Sequence, residues 1–104
     1  MLEERTQRQQ RLKALLSERI LILDGAMGTM IQAKNLTDED YYNDDLTGHP
    51  VPLKGNHDIL NVTRPEVIAD VHRQFLDAGA DIIETNTFNA TTISQAEYQT
   101  THLV

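Results

Sequence analysis

Apolar residues are spaced along this chain in three ways, and each spacing predicts a different element. Leu12, Leu15 and Leu16 recur at i, i+3 and i+4 in a stretch from Glu3 to Glu18 without Gly or Pro, which predicts a helix over 3–18. Its first half is polar all round and is expected to project into water, with the Leu face packed under the amino-terminal end of a sheet. Ile20-Leu21-Ile22-Leu23 is continuously apolar, the pattern of a strand covered on both faces. A short helix is expected over 27–33. The helical spacing returns at Val67, Ile68, Val71, Phe75, Leu76 and Ala78, the expected buried stripe of a helix over 64–78. Thr63 and Glu66 have the spacing of a capping box, Pro65 suits a first helical turn, and Gly79 supplies a left-handed stop. A second strand over 80–84 follows. A last helix is expected to begin near Thr91 or Thr92, with Ile93, Ala96 and Leu103 inward. Residues 35–62 show no period. Gly48, Pro50, Pro52 and Gly55 interrupt them, and Thr37-Asp38-Glu39-Asp40 offers the cap of one brief turn. Connections of this length are usually functional or disordered.

A strand, a crossover helix and a second strand make a βαβ unit with parallel strands. The expected fold class is therefore α/β: a leading helix (1–18), then about two βα units (19–104) forming the amino-terminal portion of a (β/α)8 barrel or a doubly wound sheet. A whole barrel takes about 250 residues, so a 104-residue chain reads as one piece of a larger catalytic domain. A complete small α+β domain is the alternative.

In such a unit both strands end on one face, and neighbouring parallel strands lie roughly 4.8 Å apart. Asp24, at the end of the first strand, and Thr85, at the end of the second, should therefore be close although sixty residues intervene. Asp24 offers a carboxylate for a cation such as an α-ammonium group. Gly25 and Ala26 open a helix and offer free backbone N–H groups to a carboxylate or phosphate. Thr85, Asn86 and Thr87 add neutral donors and acceptors. Together they suit an amino-acid zwitterion. Each also has a plainer reading: Asp24 as a helix cap, Gly25 and Gly28 as turn formers, Thr85 and Thr87 as β-branched strand ends. Glu84 ranks below Asp24 as a ligand. Gly-x-x-Gly-Thr lacks the Lys of a P-loop and the spacing of a dinucleotide fingerprint.

Charge and composition narrow the partners. The formal net charge is −7, and five of the nine basic residues fall within the first nineteen positions. No basic face with interleaved aromatics remains elsewhere, which argues against nucleic acid. There is no cysteine, hence no disulfide framework and no thiolate metal site. His49, His57, His72 and His102 have no recognised ligand spacing. The longest apolar run is four residues, too short for a membrane span or a signal-peptide core, so the cytoplasm is the expected location.

Three separated blocks make the pattern specific: Leu23-Asp24-Gly25-Ala26-Met27-Gly28-Thr29-Met30-Ile31-Gln32, Leu53-Lys54-Gly55-Asn56-His57-Asp58-Ile59-Leu60, and Ala78-Gly79-Ala80-Asp81-Ile82-Ile83-Glu84-Thr85-Asn86-Thr87-Phe88-Asn89. In this order they resemble the start of the cobalamin-dependent methionine synthases, over roughly residues 12–104. The resemblance implies a homocysteine-binding (β/α)8 barrel that methylates the homocysteine thiolate. Zinc held by three cysteines would activate the sulfur, and methyltetrahydrofolate would supply the methyl group through methylcobalamin and other domains. The ligands for zinc and cobalamin would lie outside this chain, so the chain alone is expected to be inactive. The resemblance makes Asp24 the amino-group ligand, Gly25 and Ala26 the carboxylate cradle, and Thr85 a substrate contact flanked by Asn86 and Thr87. Ala26 stands where the family often has glycine, a change expected to be harmless in a helical turn. A betaine- or S-methylmethionine-dependent homocysteine methyltransferase is the nearest alternative. A phosphate-binding barrel or a non-catalytic binding module is the alternative of another class.

Overall fold

A computed structural model describes all 104 residues. Five α-helices lie along the chain: α1 (Leu2–Glu18), α2 (Met27–Ala33), α3 (Leu60–Thr63), α4 (Pro65–Asp77) and α5 (Thr92–Gln95). Single 3-10 turns occupy Asp38–Tyr41, Asp44–Leu46, His57–Ile59, Ala96–Tyr98 and Thr101–Leu103.

The two apolar segments pair in parallel, but through one bridge, Leu23 with Ile82. The Ile82 N–H donates to the Ile22 carbonyl (3.2 Å) and the Asp24 N–H to the Ile82 carbonyl (2.9 Å). Side chains then take over the ladder at both ends. The Ile22 N–H donates to an Asp81 carboxylate oxygen at 2.9 Å. The Glu84 N–H is shared between both Asp24 carboxylate oxygens, each at 3.2 Å. The expected double covering of the first segment is not found: Ile20 is 89% exposed, Ile22 57% and Leu23 51%. Each segment has a single neighbour, so neither apolar face is closed over.

Helix α4 follows its sequence signals closely. Pro65 occupies the first turn. At the far end the Ala80 N–H reaches the Phe75 carbonyl and the Gly79 N–H reaches Leu76, both at 3.0 Å, with Gly79 at φ +111°. That 6→1 and 5→2 pair is a Schellman stop, and it turns the chain directly into the second extended segment. The capping box is a correction. Arg64 precedes the helix without a side-chain cap, and the Thr63 hydroxyl donates instead to the Asp40 carbonyl at 2.8 Å. The stripe is narrower than expected: Ile68 and Val71 are buried, whereas Leu76 and Ala78 are exposed. Helix α4 packs on α2 and α3. A Lys34–Asp70 ion pair ties the end of α2 to α4 and holds the Asp70 carboxyl below its usual range.

The long connection, irregular as expected, supplies most of the core. Tyr41, Leu46, Leu53, Ile59 and Leu60 come from it and join Ile31 and Ile68 in one apolar cluster. Thr37 does cap a turn: its N–H (2.8 Å) and hydroxyl (3.2 Å) both donate to Asp40. Arg64 then donates to the other Asp40 oxygen at 3.2 Å. These contacts, with Thr37 the largest influence, hold the Asp40 carboxyl below its usual range.

Helix α1 buries no residue, and Leu12 and Leu16 are exposed, so its Leu face does not close the bottom of the sheet. Its link to the rest runs through Arg19, whose guanidinium grips both Asp81 oxygens at 2.6 and 2.9 Å. Near the carboxyl end, Thr91 caps α5 by accepting the Ser94 N–H at 3.1 Å. Ile93 points outward, with Leu103 and Ala96 also exposed, and Gln95 is the residue that turns inward.

Candidate functional site

The Asp24 end of the parallel pair opens onto a cavity of about 280 Å³. Asp24, Gly25 and Ala26 form one wall, and Glu84, Thr85 and Thr87 face them. The two segment ends therefore meet at one place, as the topology predicts. The Glu84 N–H bond to Asp24 fixes the register that sets Thr85 beside that carboxylate.

Asp24 does not cap α2. Ala26 stands at the cap of that helix, which has no side-chain cap, while both Asp24 oxygens are turned to the opposite segment. No Lys or Arg pairs with Asp24 in any of the five ion pairs of the chain. A half-buried carboxylate with one backbone donor retains lone pairs for a further charged partner.

The backbone N–H groups of Gly25 and Ala26 donate to no acceptor within the protein. Gly25 is closely packed. A Cβ there would meet the Phe75 ring at 3.3 Å, so α4 supports the turn directly. Ala26 has φ −60° and ψ 111°. It is extended rather than helical, which corrects the expected geometry, and its negative φ explains why alanine fits.

Thr85 and Thr87 stand side by side with their hydroxyl oxygens 2.7 Å apart. One proton serves that contact, leaving the other hydroxyl proton for the cavity. Asn86 behaves differently. It is buried, its side-chain amide donates to the His57 carbonyl at 2.8 Å, and its own carbonyl accepts from the Asn61 amide at 2.5 Å. Asn86 is thus tied to the protein through its amide and its backbone carbonyl, and it lines the cavity as well. Successive side chains of an extended segment alternate in direction, and that period was the signal available to separate Asn86 from its two neighbours. Asn61 and Phe75, which support the site from outside, carried no such signal.

The histidines do not gather. The His49 ring meets the Tyr98 carbonyl at 2.6 Å, and His57 stacks on Tyr41 with centroids 6.4 Å apart. No three His, Asp or Glu side chains converge as a metal-binding group would require, and cysteine is absent. The zinc implied by the resemblance therefore finds no fitting donor set among these residues. No helix is long and apolar enough to cross a membrane.

Residues 21–104, which include both walls of the cavity, match the family model described as homocysteine S-methyltransferase. The chain belongs to the homocysteine S-methyltransferase family.

Proposed function

We propose that this chain grips the amino-acid head group of homocysteine for a methyltransferase that converts the homocysteine thiolate to methionine. The observation that carries the reading is the cavity shared by Asp24 and Thr85, where the carboxylate has no cation of its own. The Asp24 carboxylate would pair with the α-ammonium group. The Gly25 and Ala26 N–H groups would receive the α-carboxylate. The free proton of the Thr85–Thr87 hydroxyl pair would donate to the same carboxylate or orient the side chain.

The finer reading is the amino-terminal part of a (β/α)8 barrel of the cobalamin-dependent methionine synthase type. The single bridge is parallel and is joined through α4, which agrees with a βαβ unit. The Leu53–Leu60 block favours the cobalamin-linked branch over betaine- or S-methylmethionine-dependent relatives. Further strands would cover the exposed Ile22, Leu23 and Ile83. Zinc and cobalamin would be held by residues outside these 104, and methyltetrahydrofolate would engage other domains. The work assigned to the present residues stops at binding and orienting the amino acid, in the cytoplasm. A phosphate ligand is disfavoured because Asp24 and Glu84 both line the cavity and would repel a dianion.

Titration calorimetry with L-homocysteine and, separately, with a sugar phosphate tests the reading. Saturable binding of homocysteine and none of the sugar phosphate is expected; the reverse preference overturns it. The 104-residue chain supplied with methylcobalamin and homocysteine is expected to form no methionine, and measurable turnover would refute the assignment of sulfur activation to residues elsewhere.

A further inference from the structure

We propose that Asn61 and Asn86 are positioning residues, an amide clasp that sets the Thr85 and Thr87 hydroxyls toward the head-group cavity. The proposal rests on the homocysteine reading above and assigns roles that reading does not contain.

The segment leaving the second half of the parallel pair is held at three points on one short stretch of the long connection. The Asn86 amide donates to the His57 carbonyl at 2.8 Å. The Asn61 amide donates to the Asn86 carbonyl at 2.5 Å and to the Asp58 carbonyl at 2.9 Å. The Asn89 N–H donates to a carboxylate oxygen of buried Asp58 at 2.8 Å. These contacts bracket Thr87 on both sides. Holding Asn86 inward leaves its exposed neighbours on the other face, where their oxygens come within 2.7 Å.

The platform is itself rigidly held. Asn56 and Gln95 exchange two amide hydrogen bonds (2.8 and 3.0 Å), and the Thr100 hydroxyl adds a third to Gln95 at 2.6 Å. All three residues are buried. A satisfied buried amide network specifies one arrangement because any slip leaves polar groups unpaired. The hydroxyl geometry is thereby fixed before any ligand arrives.

Asn61 is the position to change, since its exposure spares the core. In Asn61→Asp the donor becomes an acceptor facing the Asn86 carbonyl. The 104-residue chain, wild type and variant, would be compared by NMR for the Overhauser contact between the Thr85 and Thr87 side chains. Loss of that contact in Asn61→Asp, in a variant whose amide spectrum stays dispersed, and its return in Asn61→Gln are expected. An unchanged contact overturns the proposal whether or not homocysteine binds. Calorimetry supplies the second arm: about fivefold weaker homocysteine binding in Asn61→Asp, and no further loss when the change is made on a Thr85→Val/Thr87→Val background. An equal loss on that background would mean that Asn61 acts elsewhere. Wild-type protein that fails to bind homocysteine would sink the head-group reading, while the NMR arm still decides the clasp.

Discussion

The parallel pair at the centre of this protein is closed at each end by an aspartate, and the two aspartates are treated in opposite ways. Asp81 accepts the Ile22 N–H and is clamped by both Arg19 nitrogens. Arg19 first, and the Ile22 N–H second, hold its carboxyl at a pKa of about 2. Asp24 accepts the Glu84 N–H in the corresponding role and meets no cation. The same side chain making the same backbone contact is a structural tie where its charge is neutralised and a candidate ligand where it is not. The surroundings follow the same division. Behind Asp81 lies α1, which buries nothing, whereas behind the Asp24 end lies the apolar cluster of the long connection.

The largest effect should come from removing what supports the Asp24 end. Leu60 is fully buried in that cluster, and Leu60→Ala is expected to cost about 2–5 kcal/mol in denaturant unfolding. A cost typical of a surface site, within about 0.5 kcal/mol, would break the claim that the connection is a platform. Next comes Gly79→Ala, which places a Cβ at φ +111° where the Schellman stop delivers Asp81 into the pair. About 1–2 kcal/mol should be lost, read from the same unfolding curves; an unchanged midpoint would show that the stop does not set the pairing.

The smallest effect concerns acid. The folded-state pKa of Asp81 is depressed, so its contribution is complete above the ordinary aspartate value of about 3.9 and is lost as pH falls toward about 2. Wild-type stability should decline through that window more steeply than that of Asp81→Asn. Parallel declines in the two proteins would show that the Arg19 clamp contributes nothing to the acid response.

What could be read beforehand divides along the same line. The helix over 65–77 and its stop were legible because Pro65 and Gly79 act locally and the apolar spacing is regular. The meeting of Asp24 and Thr85 was legible from parallel topology alone. The core contributed by 35–62 was not: Tyr41, Leu46 and Ile59 sit in isolated 3-10 turns, Leu53 lies outside any helix and Leu60 opens the four-residue α3, which leaves no period in the sequence. Thr63 and Glu66 had the spacing of a cap, but the Asp40 carbonyl captured the Thr63 hydroxyl from a distant turn. Asn86 lines the same cavity as the two threonines, but its burial and its bond to the His57 carbonyl were not legible from residue type. The partner of Asp81 lay at Arg19, sixty-two residues away, just past the end of α1, where nothing in the local pattern gave a sign of it.

The most direct measurement is homocysteine affinity in Asp24→Asn and Asp81→Asn, side by side by titration calorimetry. The oxygen retained by asparagine still accepts the backbone N–H at either site, so both variants are expected to keep the pairing; Asp81→Asn gives up, besides its charge, one of the two Arg19 hydrogen bonds. A ten- to hundredfold loss, about 1.5–3 kcal/mol for a charged hydrogen bond, is expected for Asp24→Asn, with Asp81→Asn within about twofold of wild type. Equal losses in both variants, or an unchanged affinity in Asp24→Asn, would contradict the account.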